Sequence, residues 1–138
     1  MNTVIRRRYA DIAHTLLRVT AGLLFAEHGA QKLFGALGGF GPPPGDRVQL
    51  LSLMGLAGVI EFFGGLLIAL GILTRPVAFI AAGEMAVAYF MAHAPHGFWP
   101  ILNHGEPAVL YCFVFLYLAA AGPGPYSVDA RRPVLRMA

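Results

Sequence analysis

The sequence predicts an all-α fold, a four-transmembrane-helix bundle with the N and C termini cytoplasmic, and three observations carry that prediction. Hydrophobic residues make up 57% of the chain and charged residues only 12%, about half the charged share of a typical soluble domain. Leu50 to Leu73 contains no charge other than Glu61, and at ~1.5 Å per residue it is long enough to cross a hydrocarbon core of roughly 30 Å. Beyond Leu73-Thr74-Arg75-Pro76, the run from Pro76 to Ala92 returns with Glu84 as its single charge. The two runs read as a membrane hairpin with one carboxyl near the midplane of each leg.

Residues 1–138 form a single domain with spans over residues 11–34, 50–73, 76–92 and 104–121 and a tail over 122–138. The first span is the most polar. Stepping by threes and fours from Asp11 selects His14, Arg18, Gly22, Phe25, Gly29 and Lys32, while Glu27 projects about 180° from Arg18 at ~100° per residue. A helix patterned in this way is expected to be packed on both sides. Residues 35–46 hold Gly38-Gly39, Gly41 and Pro42-Pro43-Pro44, which neither helix nor strand accommodates, so they form a loop.

Pro76 stands in the first turn of the third span, where its missing N–H costs nothing. Ala94 to Pro100 is a second loop or a re-entrant segment, whose Phe98 and Trp99 suit a membrane interface. The last apolar run, Pro107 to Ala121, covers only about 22 Å, so its helix begins near Asn103 or the bilayer thins around it. Gly122-Pro123-Gly124-Pro125 stops that helix, and the tail after Asp129 is expected to be poorly ordered.

Arg6, Arg7, Arg8, Arg131, Arg132 and Arg136 in the tails, with Arg75 in the central turn, gather the basic residues on one side. The positive-inside rule makes that side cytoplasmic. The net charge of +3 therefore has a topological origin, and no nucleic-acid groove is predicted. Arg18, Glu27 and His28 interrupt the apolar run that a cleaved leader would need, so the first span reads as uncleaved. Cys112 is the only cysteine and excludes an intrachain disulfide.

The foremost site is an intramembrane polar set, Glu27, His28, Glu61 and Glu84, with Arg18 and Lys32 as counter-charges. Carboxyls in hydrocarbon are costly and should face protein or a water-filled cavity. Ala57, Gly58, Gly64 and Gly65 around Glu61, and Ala81 and Ala88 beside Glu84, are the small residues that allow close helix approach. Two carboxyls held together in a low dielectric cannot both ionise cheaply and can share a proton. The competing reading is that the set pairs internally as helix glue.

An outer-loop set, His93, His96, His104 and Glu106, has the ligand chemistry of a zinc, copper or iron site. Its spacing matches no metal signature, interface and loop-capping roles compete with it, and no metal is assigned. Arg75 is read as capping the carboxyl end of the second helix and holding the turn to the cytoplasmic lipid surface, with partner docking as the alternative. His14, near the cytoplasmic boundary, reads as a surface or stripe residue. Cys112, Tyr111, Phe113, Phe115, Tyr117, Met85 and Met91 read as packing or lipid-facing, and the sequence has no CxxC, phosphate loop or assembled nucleophile.

In order and spacing the chain resembles the DoxX family of small bacterial inner-membrane proteins. The resemblance rests on Glu27-His28-Gly29-Ala30-Gln31-Lys32-Leu33-Phe34-Gly35, on Glu61 followed by Gly64-Gly65 and Gly71-Ile72-Leu73-Thr74-Arg75, on His93-Ala94-Pro95-His96-Gly97-Phe98, and on Gly122-Pro123-Gly124-Pro125-Tyr126-Ser127-Val128-Asp129. It implies a four-helix membrane bundle and a link to quinone-coupled thiosulfate oxidation or to membrane complexes handling thiol or oxidative stress. The chain is accordingly expected to be a subunit or accessory of a redox-linked membrane system. The cofactor is left unknown, with quinone closer to the implied chemistry than metal or haem, and catalysis by the chain itself is left open. The alternatives are a small proton- or solute-transport module and a structural scaffold. Its expected partners are the lipid bilayer, a membrane or peripheral redox protein and further copies of the chain.

Overall fold

A computed structural model describes residues 3–131, and among them every regular element is helical. Helix α1, Thr3–Phe34, runs for 32 residues, about 48 Å. It starts well before the expected residue 11 because Thr3 to Ala10 contains no glycine or proline to stop it. A loop follows and folds back on the end of α1, with Val48 N donating to Lys32 O at 2.9 Å.

Helix α2, Leu53–Leu70, opens on Ser52, whose hydroxyl accepts from Gly55 N at 3.0 Å. It ends at Gly71 in the left-handed conformation with φ 71°. Ile72 N then donates to Leu67 O at 2.9 Å and Gly71 N to Ile68 O at 3.0 Å, the glycine-terminated closure that makes the helix stop short of Leu73. Helix α3, Thr74–His96, starts immediately afterwards with Pro76 in its first turn. Both helices widen into one π turn, at Ile60–Gly64 in α2 and at Tyr89–His93 in α3.

The expected fourth helix starts two residues late and is preceded by a separate turn. A single turn, α4, covers Pro100–Asn103, and α5 covers Glu106–Ala121. His104, at φ 59°, breaks the register between them. The buried Asn103 pins this corner, donating to Gly97 O at 2.5 Å and accepting from Gly105 N at 2.8 Å.

Helices α1 and α2 cross at backbone contact. A Cβ on Gly22 would lie 2.6 Å from Gly65 O and Ala69 N, and one on Gly65 would lie 2.5 Å from Gly22 O. Gly29 meets Gly58 and Phe62 in the same way. The glycines thus match in antiparallel pairs, and the close approach they permit holds α1 on α2 without an aliphatic layer between them. Helix α5 packs chiefly on α3, where Ala78, Ala81, Ala82, Ala108, Phe115 and Leu118 are buried. Phe25 of α1 joins the two pairs, its ring 4.7 Å from that of Phe115.

Helices α2 and α3 are each long and apolar enough to cross a membrane by length and composition, and α5 is a shorter apolar helix. Phe79, Ile80, Val87, Phe90, Leu110 and Phe113 are all exposed on the outside of the bundle. Contiguous apolar surface of this kind belongs against lipid or protein.

Two arginines and a histidine close one end of the bundle, and here the sequence reading needs correction. Arg75 does not cap α2. Its Nη1 donates to Ala119 O at 3.0 Å and to Ala120 O at 2.5 Å, at the carboxyl end of α5. The residue that caps α2 is Arg18, whose Nη1 donates to Ile68 O at 2.8 Å and to Ala69 O at 2.5 Å, with Nη2 on Tyr126 O at 2.7 Å. Arg75 sits in the first turn of α3, the helix that packs on α5, so its reach ends on that neighbour's unpaired carbonyls.

His14 is also tied in: Nδ1 lies 3.0 Å from Tyr117 Oη and Nε2 lies 3.0 Å from Gly122 O. Just before the expected loose tail the chain is anchored, because Val128 N donates to Leu70 O and Asp129 N to Gly71 O. A 3₁₀ turn at Asp129–Arg131 follows. Arg132, Arg136 and the rest of the tail lie outside the described residues.

Candidate functional site

At the opposite end of α1, Lys32 Nζ stands 2.5 Å from Glu61 Oε1, with side-chain exposures of 13% and 3%. Lys32 reaches Glu61 because Gly58, one helical turn earlier on α2, has only a hydrogen beneath the side chains of Lys32 and Leu33. The other flank of Lys32 is covered by the loop, with Nζ 5.6 Å from the centre of the Phe40 ring. A cation between a carboxylate and an aromatic face is favourably placed on both sides.

Glu61 lies in the π turn of α2, a widened turn often found where a helix presents a functional side chain. Its second oxygen, Oε2, is buried without a hydrogen-bond partner among the described residues, and so is Glu84 Oε2 on α3. Glu84 is half-buried and lies within electrostatic reach of both Glu61 and Lys32. The hairpin legs therefore bring Glu61 and Glu84 to one locality, with Lys32 within electrostatic reach of both.

A cavity of about 340 Å³ opens beside this trio, between α2 and α3. Glu84 and Lys32 are its polar members. Met54, Ile60, Val87 and Met91 are among its apolar ones. Its mouth faces the outside of the bundle, since Met54, Val87 and Met91 are each between 40% and 61% exposed. A volume in this range with a few convergent polar groups in an apolar wall is the usual form of a small-molecule site.

The remaining predicted residues fall elsewhere. Arg18 is fully buried at the other end of α1 and is no counter-charge for the glutamates. Glu27 and His28 are exposed. His28 retains an edge contact with the Tyr111 ring, 6.1 Å between centroids, and lies within electrostatic reach of Glu61.

In the outer loop, His93 Nδ1 lies 3.0 Å from Asn103 O and His96 Nδ1 lies 3.1 Å from Ala92 O. Both histidines engage backbone carbonyls, and His104 and Glu106 are exposed. No group of three or more metal-ligating side chains assembles among the described residues.

The sequence reading missed the cavity wall. Ile80, Glu84, Val87 and Met91 recur at helical spacing on α3, and Leu53, Ala57 and Ile60 do so on α2. Projecting Glu84 along its own helix face would have found the α3 wall. A second cavity of about 340 Å³, lined by Tyr89, Phe98, Trp99, Cys112 and neighbours, lies between α3, the outer corner and α5. It contains no charged side chain.

With this geometry in place, comparison with known proteins is informative. A profile of the DoxX family matches residues 13–94, the segment holding Lys32, Glu61 and Glu84. An uncharacterised protein of Haemophilus influenzae is 40% identical over 129 residues, covering 88% of this chain and 92% of that protein. The inner membrane protein YqjF of Escherichia coli K12 is 29% identical over 138 residues, covering 89% of this chain and 94% of that protein. The uncharacterised membrane protein Rv3486 of Mycobacterium tuberculosis is 28% identical over 128 residues, with 83% and 78% covered. No solved structure matches the chain. A family match across most of the helical bundle, together with relatives matched along nearly their whole length, identifies the chain as a membrane protein of the DoxX family.

Proposed function

We propose that the chain is a multi-pass inner-membrane protein that binds a lipophilic, quinone-class molecule in the cavity between α2 and α3 and serves as a subunit or accessory of a redox-linked membrane system. The observation that carries this reading is the cavity itself, apolar except where Lys32 and Glu84 enter it, with Glu61 held behind them by Lys32. In this reading α1, α2, α3 and α5 are the four spans, with both termini cytoplasmic. The inner-membrane name of the Escherichia coli relative supports the location.

The apolar mouth admits a ligand that arrives through lipid. Lys32 and Glu84 orient its polar head, and the walls of Met54, Ile60, Val87 and Met91 exclude water around it. The two carboxyls supply the proton-handling groups that quinone chemistry requires. Glu84 is the group in contact with the cavity, and Glu61 acts through Lys32. Electrons would be exchanged with a partner protein of that redox system.

The test is mass spectrometry of small molecules extracted from protein purified in mild detergent, comparing the native chain with Glu61→Gln and Glu84→Gln variants of verified fold. A stoichiometric quinone in the native protein, depleted in the Glu84 variant, supports the reading. Absence of any lipophilic ligand from native protein, together with failure to load one from added quinone, contradicts it.

A further inference from the structure

Resting on the reading of α1 as a membrane span, we propose that the chain pairs with a second copy of itself through the outward face of α1, Glu27 of each copy lying against His28 of the other. Ala13, Leu17, Thr20, Leu24 and Glu27 recur on α1 at alternating steps of four and three, and all five are exposed. A period of 3.5 residues is the seam of a left-handed helix pair. This seam lies on the side of α1 away from Gly22, Phe25, Ala26 and Gly29, which are buried in the bundle.

Glu27 calls for protein on that face. It stands between Gly22 and Gly29, the two points where α1 touches α2, at Gly65 and at Gly58. Helix α2 runs over Leu53–Leu70, so Glu27 is level with its middle, at the depth of the hydrocarbon core. Leu17 and Leu24, 40% and 44% exposed, suit lipid. A carboxyl at that depth does not, and faces protein or a water-filled cavity.

His28 makes a second copy the fitting occupant. Copies inserted in one orientation are related by a two-fold axis along the membrane normal, so their α1 helices run parallel and every contact is reciprocal. His28 follows Glu27 by about 100° around the helix, at the edge of the seam. In a parallel pair of this period, a side chain at the Glu27 position enters a hole bordered by the partner's His28. The carboxylate accepts and the imidazole carries an N–H, so each copy brings the atom that the other lacks, twice across the axis. Hydrogen bonds between polar side chains hold membrane helices together in this way.

The test uses the full-length protein with Cys112→Ala and one new cysteine, at Leu24 on the seam or at Phe79 on the outside of α3, both exposed. In native membranes treated with an oxidant, Leu24→Cys should give a disulfide-linked dimer of twice the chain mass and Phe79→Cys should not. In liposomes, energy transfer between copies labelled at Ala130→Cys reads the dissociation constant. Glu27→Leu or His28→Ala should weaken association about tenfold or more, and Glu27→His combined with His28→Glu should restore most of it. Equal cross-linking at Leu24 and Phe79, a Leu24 adduct with a different protein in place of the dimer, or no recovery in the exchanged variant overturns the pairing and leaves the ligand site standing. Reaction of Leu24→Cys with a membrane-impermeant thiol reagent would show that α1 is no span, and would overturn the pairing and the four-span reading together.

Discussion

Lys32 Nζ lies 2.5 Å from Glu61 Oε1 across the α1–α2 crossing, and both side chains are nearly excluded from the surface. An ion pair of this kind is expensive to assemble and more expensive to halve, because removing one partner leaves the other charged and unpaired in a low dielectric. Lys32→Met alone should therefore destabilise the protein by about 3–5 kcal/mol, and Lys32→Met with Glu61→Gln should recover most of that loss. A double-mutant cycle of thermal melts in detergent measures it; additive losses would show that the pair is not coupled.

The crossing itself gives a second expectation. Gly29 has Phe62 and Gly58 backbone where a Cβ would be, whereas the Cβ position of Gly83 is open space. Gly29→Ala should cost roughly 1–3 kcal/mol through forced separation of the helices. Gly83→Ala should be neutral or stabilise by about 0.5–1 kcal/mol. Equal melting temperatures for the two variants would contradict the backbone-contact description of α1 on α2.

The arginines at the other end differ in what they hold. Arg18 is 1% exposed and serves three carbonyls on two segments, so Arg18→Ala should lose about 3 kcal/mol. Arg18→Lys should rescue little, since a single ammonium cannot reproduce the planar fork. Arg75 is exposed, and Arg75→Ala should cost only about 0.3–1 kcal/mol. Thermal melts of the three variants give the ranking, and a larger loss at Arg75 would reverse the assignment.

The proposed four-span arrangement makes its own prediction. After replacement of Cys112 by Ala, single cysteines at Arg8 and Ala130 should react with a membrane-impermeant thiol reagent only from the cytoplasmic side, and cysteines at Phe40 and Phe98 only from the outer side. Labelling of Phe40 and Phe98 from opposite sides would break the hairpin of α2 and α3.

Much of this was legible in the chain. The two apolar legs and the similar depth of their glutamates follow from apolar length and from one charge per leg, and Lys32 was one of two counter-charges the sequence offered. The orientation of α1 was not legible. Its polar stripe mixes residues that serve opposite ends, so Arg18 and Lys32 look alike although Arg18 binds backbone carbonyls and Lys32 a carboxylate. The exposure of Glu27 and His28 was hidden for a related reason: a helix with polar groups on two sides does not reveal which residues a neighbour covers. His14 shows a further limit, because its partners Tyr117 and Gly122 lie more than a hundred positions away and no local pattern announces them.

The claim that the cavity beside Lys32, Glu61 and Glu84 is the ligand site is tested most directly by photolabelling. An alkylphenol carrying a diazirine on its chain is activated on the protein in liposomes, and the adducts are mapped by peptide mass spectrometry. The account predicts labelling concentrated on the cavity walls of α2 and α3, at Met54, Ile60, Val87 and Met91, competed by excess unlabelled alkylphenol and weakened in Glu84→Gln. Labelling spread evenly over the lipid-facing residues, or concentrated around Trp99 and Cys112 and indifferent to Glu84, would contradict it.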